Sequence, residues 1–227
     1  MVFPSPSTSP PTSEVYQGQF GEFTITEDDR WGVRVYRGGL AIAALSLVLS
    51  TMVVLWPQRP DWALAVVSGL YGLFWLALGV SLWTIHIYLK PLHRLLQVFW
   101  LVGGVASLVV AHGDAAPFVQ TVYQHPVTLW GVGFTFVALT GIYFKEAFCF
   151  NRLEAKVLTP LVPLLLLGHL AGVWSVPWAT GMLIIWAVGF TVFALRKLVQ
   201  AIPDDVGDKS VFVYLAQQRQ APSEGVG

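Results

Sequence analysis

Long apolar runs alternate with short polar joints from residue 38 to residue 199. Six runs stand out, at about 38–56, 61–89, 92–111, 127–148, 157–176 and 177–199. A membrane-spanning helix needs about 20 mostly apolar residues. Each run meets that length with hardly a charge between its ends, which a core helix of a water-soluble protein does not do. The second run is long enough to tilt or to protrude. Proline marks the joints: Pro57 and Pro60 bracket the first turn, and Pro91 separates runs two and three. Pro126 and Pro177 stand at the starts of runs four and six, where a missing N–H costs little. Pro160 and Pro163 fall in the first turns of run five, and Pro163 is placed to bend it.

The pattern predicts an all-α polytopic membrane protein with six transmembrane helices. Residues 1–13 read as a disordered tail, 14–37 as a juxtamembrane segment, 38–199 as the transmembrane domain and 200–227 as a second tail. The N-terminal stretch has neither a basic region nor an apolar one, so it does not read as a secretory signal. Within 14–37, Tyr16 to Thr26 carries aromatic and β-branched residues with glycine between them, which suits a short strand or a hairpin. Thr26 followed by Glu27, Asp28 and Asp29 reads as a helix start. Val211 to Leu215 reads as a strand or a membrane-surface segment.

Composition agrees with the pattern. Of 227 residues, 55% are hydrophobic and only 11% are charged, less than half the roughly 25% of an ordinary soluble domain. The mean hydropathy is +0.64. Formal net charge is zero, with 13 basic and 13 acidic residues, which excludes electrostatic capture of nucleic acid. The placement of the charges says more. Six alternating spans put Arg30, Arg34, Arg37, Lys90, Arg94, Lys145, Arg152, Lys156, Arg196, Lys197, Lys209 and Arg219 on one side, and only Arg59 on the other. Lysine and arginine collect on the cytoplasmic side. Both termini are therefore expected to be cytoplasmic, or stromal in a plastid. Trp56, Trp62, Trp130, Trp174 and Trp178 form an aromatic belt at the opposite interface.

Candidate chemistry is sparse. An ionisable group inside a membrane is a functional hypothesis by default. His169 lies about ten residues into the fifth run, within a GxxxG pattern formed by Gly168 and Gly172. That pattern is a helix-packing motif, and the imidazole is a candidate ligand for haem iron or chlorophyll magnesium, or else a helix-packing hydrogen-bonder. His86 and His93, near the ends of runs two and three, are candidate cofactor-binding partners at similar depth, and His112 and His125 form a second pair at the other face. The densest polar stretch runs from Lys145 to Lys156. If it is helical, Glu146, Cys149 and Arg152 recur at i+3 on one face. Lys145, Glu146, Cys149, Arg152, Glu154 and Lys156 are then a candidate partner surface, or a self-paired cap joining two spans. The lone Cys149 excludes an intramolecular disulfide and a multi-cysteine metal site. Metalloprotease, hydrolase, P-loop and dinucleotide fingerprints are missing, and no segment outside the spans is large enough for a soluble catalytic unit.

At Tyr16–Thr26 and again at Lys145–Leu170, the chain resembles a family of uncharacterised integral membrane proteins found in cyanobacteria and plant plastids. The resemblance implies a plasma or thylakoid membrane, or a plastid one. It carries no catalytic residues. The expected role is a non-catalytic accessory or assembly partner of a membrane complex, with a photosynthetic complex as the setting the resemblance implies and the bilayer and other membrane subunits as partners. The alternatives are a transporter or channel for a small neutral solute and a haem- or chlorophyll-binding membrane protein.

Overall fold

In the computed structural model, five helices are long and apolar enough to cross a membrane, and a sixth crossing results when one bent helix pair counts as a single span. The structure describes residues 15–17, 21–87, 89–202, 208 and 214. The chain divides into two units, one of residues 1–33 with 201–227, the other of residues 34–200.

The first unit holds an antiparallel hairpin, β1 (Val15–Gln17) and β2 (Glu22–Thr24), with Tyr16 opposite Phe23 and their rings stacked at 5.8 Å. The hairpin falls where aromatic and β-branched residues predict it. The first turn of α1 (Glu27–Val54) follows. Thr26 caps it reciprocally: its hydroxyl accepts from the Asp29 N–H, and the Asp29 carboxylate accepts from the Thr26 N–H and hydroxyl. Two orphan donors at the helix start are thereby satisfied. The expected tail at 1–13 and the expected strand at 211–215 lie outside the described residues, Tyr214 apart.

The second unit contains the rest of α1, then α2 (Ala63–Thr84), α3 (Lys90–Gly113), α4 (Phe118–Gln124), α5 (Leu129–Val132), α6 (Phe134–Phe150), α7 (Leu153–Leu170) and α8 (Val176–Val199). Hydroxyl side chains within the helices turn back to the carbonyl four residues earlier, as Ser46, Thr51, Ser68, Thr140, Thr159 and Thr191 do. Each of these hydroxyl protons thereby has an acceptor in a lipid setting. Arg59 sends a guanidinium N–H to the Val54 carbonyl at the end of α1.

Small residues set the closest approaches. A Cβ on Gly39 would meet Ser81 and the Ala77 carbonyl, and one on Gly103 would meet Thr135. Between α2 and α3 the contact is made by tryptophan. Trp75 and Trp100 stack at 4.3 Å with 9° between their planes. Around Tyr143 the core is aromatic: Phe190 and Phe193 meet its ring edge to face, and the Trp186 indole N–H donates to its hydroxyl at 3.3 Å.

Four details differ from the sequence expectations. The second span stops at Thr84, and Ile85 continues in extended backbone. The loop after α3 contains α4. The fourth span is broken: Pro126–Val132 and Phe134–Phe150 meet at 57°, because a side chain at Gly133 would strike the Leu129 carbonyl and its absence lets the chain fold there. Helix α7 begins at Leu153, so Pro160 and Pro163 lie inside it and not in its first turn. Each withholds one backbone donor from the carbonyl four residues back.

Candidate functional site

Helices α1, α6 and α8 each bury a stripe of residues at helical spacing. On α6 the stripe is Ala138, Leu139, Ile142, Tyr143 and then Glu146; on α8 it is Trp186, Phe190, Phe193, Ala194 and then Lys197. On α1 it includes Tyr36, Arg37, Leu40 and Ala43. On α6 and α8 the apolar stripe continues into a charge, and the two charges meet each other and the Tyr36 hydroxyl of α1.

Glu146 is the centre of that meeting and is 0% exposed. Its Oε1 accepts the Tyr36 hydroxyl at 3.0 Å and the Lys145 ammonium at 3.1 Å. Its Oε2 pairs with the Lys197 ammonium. Lys197 Nζ also sits 3.9 Å from the centre of the Phe150 ring, and Lys145 Nζ 5.5 Å from it. A buried carboxylate survives only when its charge is matched and its lone pairs are occupied. Here the Lys145 and Lys197 ammonium groups match the charge, and Tyr36 and Lys145 hydrogen-bond Oε1. Around this knot, Ser81 donates to the Tyr36 carbonyl at 3.1 Å, Arg37 donates to the Gln200 carbonyl at 2.5 Å at the end of α8, and Arg196 pairs with Glu154 of α7 at 2.9 Å. The interactions join α1, α2, α6, α7 and α8 at one end of the bundle. Both oxygens of Glu146 are engaged and closed to solvent, so the group holds helices and offers no open position to a substrate.

This changes the candidate partner surface. Glu146 does not belong to it, because its side chain points into the bundle. Arg152 does not share a helix face with Glu146 and Cys149: α6 ends at Phe150, Asn151 adopts the left-handed region at φ 51°, and Arg152 caps the next helix. Cys149 and Lys156 are exposed, while Lys145, Arg152 and Glu154 are half-buried. Beside them Phe148 is 83% exposed and Leu153 73%. The two flank the Asn151 turn, Phe148 at the end of the fourth apolar run and Leu153 within the polar stretch that follows it.

The histidines are dispersed. His93 makes a 2.6 Å hydrogen bond with the Leu82 carbonyl, in the last turn of α2, and its ring also meets the Gln97 amide. His86 lies in the extended stretch after α2. His169 stands in the last turn of α7 and not at its middle, because the helix ends at Leu170. Its ring stacks on Tyr123 of α4 at 5.1 Å, and its Nε2 is enclosed without a hydrogen-bond partner among the described residues. A macrocycle ligated at that nitrogen requires the surrounding side chains to part. Gly172 is also not on a helix face. It occupies the left-handed position just past the helix end, at φ 67°, with Val173 N–H donating to the Gly168 carbonyl and Gly172 N–H to the His169 carbonyl. This is a glycine helix stop. Gly168 is covered by the ring of Trp174, whose N–H returns to the Leu164 carbonyl at 2.9 Å. No group of three or more metal-ligating side chains occurs among the described residues.

A second polar cluster lies between α2, α3 and α6. The Tyr71 hydroxyl is 2.7 Å from the Ser107 hydroxyl and 3.1 Å from that of Thr135, and Ser107 donates to the Gly103 carbonyl. All three groups are satisfied internally.

The chain belongs to a family of integral membrane proteins described as uncharacterized integral membrane protein (DUF2301), which it matches over residues 80–214. The matched region contains Lys145, Glu146, Phe150, Glu154, Arg196 and Lys197, whereas Tyr36 and Arg37 precede it. No curated protein and no solved structure matches the chain.

Proposed function

We propose that this integral membrane protein is a non-catalytic accessory or assembly partner of a larger membrane complex, and that it docks through the turn between α6 and α7. The observation that carries this reading is the contrast at that turn. Glu146 and its partners form a closed, charge-matched knot, while Phe148 and Leu153 project beside it at 83% and 73% exposure. Large apolar side chains held on a rigid base, rimmed by Lys145, Cys149, Arg152, Glu154 and Lys156, are the composition of a protein-binding patch. The basic bias of the loops supports a cytoplasmic or stromal position for this end and for both termini. The resemblance to cyanobacterial and plastid proteins supports a plasma or thylakoid membrane and a photosynthetic complex as the setting.

The test is purification in a mild detergent followed by native gel electrophoresis. Migration in an assembly with other subunits, lost in a Phe148→Ala/Leu153→Ala variant that retains its thermal stability, is the expected result. Migration of the unaltered protein only as a monomer or homodimer overturns the reading.

A further inference from the structure

We propose that the cavity between the bent fourth span and α7 holds one acyl chain of a bilayer lipid. The cavity measures about 230 Å³. It lies where α5 turns away from α6 at Gly133 and where Pro163 interrupts the bonding of α7. Phe134, Phe136, Val162 and Leu166 are among the side chains that line it.

Its chemistry excludes water as the occupant. An ordered water needs two to four polar partners. The polar side chains in the lining are those of Thr140, whose proton is committed to the Phe136 carbonyl at 2.8 Å, and Trp130, whose single indole donor falls short of that number. An empty cavity is also disfavoured, because the loss of packing grows with cavity volume. A dry apolar cavity of about 150 Å³ is already enough to take up benzene. This one is larger and takes a longer apolar ligand.

Its volume excludes a protein helix as the occupant, since a helix with side chains is about 10 Å across. The opening decides the source of the ligand. Val137 and Leu167 line the cavity and are exposed, and both are apolar residues of segments that span the membrane, with Trp130 at the interfacial end. The cavity therefore opens sideways to hydrocarbon, and the slender apolar molecule present there at high concentration is a lipid chain. The site differs from a general annular contact in having walls on both sides, α5 and α6 on one and α7 on the other.

The test has two readouts. The protein is placed in phosphatidylglycerol vesicles that include phosphatidylglycerol with a diazirine on one acyl chain, irradiated, and the adducts are mapped. Adducts concentrated on Val137, Leu166 and Leu167 are expected; adducts spread evenly over the exposed helix faces overturn the proposal. Native mass spectrometry in mild detergent is the second readout. One retained lipid is expected on the unaltered protein and on Leu101→Trp, whose side chain lies on the exposed face of α3, with at least a fivefold loss in Val137→Trp, where the indole fills the cavity. Equal retention by both variants, or no retention by the unaltered protein, overturns it. If Val137→Trp does not fold, the adduct map on the unaltered protein decides.

Discussion

Trp75 and Trp100 exchange hydrogen bonds: each donates its indole N–H to the other's main-chain carbonyl, at 3.0 and 2.8 Å. Each ring also lies on a glycine four residues further along the partner helix, Trp75 on Gly104 and Trp100 on Gly79. The two helices thus contribute the same device, a tryptophan followed four residues later by a glycine, and the two copies interlock. In lipid there is no hydrophobic gain from burying one apolar helix against another, so close packing and interhelical hydrogen bonds must hold the pair.

A methyl group at either glycine therefore strikes the facing indole. Gly79→Ala and Gly104→Ala are each expected to destabilise the protein by about 1–3 kcal/mol, the usual cost of overpacking. Trp100→Phe keeps most of the ring and loses one donor, with an expected cost of about 1 kcal/mol. Thermal denaturation in detergent checks both, and a glycine variant as stable as the unaltered protein argues against the interlock.

Glu146 offers a sharper measurement. Glu146→Gln leaves the buried Lys197 ammonium without its counter-charge, and removing one partner of a buried pair costs about 3–5 kcal/mol. Glu146→Gln combined with Lys197→Met removes both charges and is expected to recover most of that loss. If the double variant is no more stable than the single one, Lys197 is not the group that suffers in it.

Cys149 makes the orientation directly measurable, because it is the single cysteine of the chain and is exposed. A membrane-impermeant maleimide is expected to leave it unlabelled in intact cells and to label it after permeabilisation. Labelling in intact cells reverses the assignment of sides.

Asp114 supplies a pH test outside the spans. Its carboxylate accepts from the Ala116 N–H and from the Thr121 hydroxyl, each at 3.0 Å, and these bonds hold it below the usual carboxylate range. A depressed folded-state pKa means that the contribution is complete above the unfolded value and is lost as the pH falls through the folded one. Hydrogen exchange at the Ala116 amide, corrected for intrinsic rate, should be slower at about pH 6 than at about pH 2, and Asp114→Ala should abolish the difference. Equal protection at both pH values in the unaltered protein would remove the carboxylate from the account.

The spans were legible because apolar length is a local property. Runs of about 20 residues and the prolines between them mark most helix ends to within a few residues. What was not legible depends on neighbours remote in sequence. Glu146 beside Lys145 reads as a solvated pair until Lys197, some fifty residues on, is found against it. A signal did exist: Glu146 falls four residues after Ile142 and three after Tyr143, on the face that the apolar residues of α6 already define. Gly168 and Gly172 show the opposite error. Their spacing fits a packing motif only if the helix continues, and the left-handed backbone at Gly172 ends it. The bend at Gly133 escaped notice because glycine is common within membrane helices and marks a break only when the following turn leaves the axis.

The break has a consequence for the membrane itself. Helix α6 has 17 residues and α7 has 18, so they rise about 26 and 27 Å, while α3 and α8, with 24 residues each, rise about 36 Å. A typical hydrocarbon core is about 30 Å thick. Lys90 and Arg94 at the start of α3, and Arg196 and Lys197 at the end of α8, trim the apolar lengths of those helices to about that thickness, whereas the flank of α6 and α7 is short for the bilayer. The longer helices match it with their charged ends in the interface. The short ones match it only where the surrounding leaflet thins, or where α5 and its flanking turn are drawn into the interface. The molecule thus carries a gradient of hydrophobic thickness around its perimeter, and membranes or neighbouring proteins that offer a thin edge will meet it preferentially along α6 and α7.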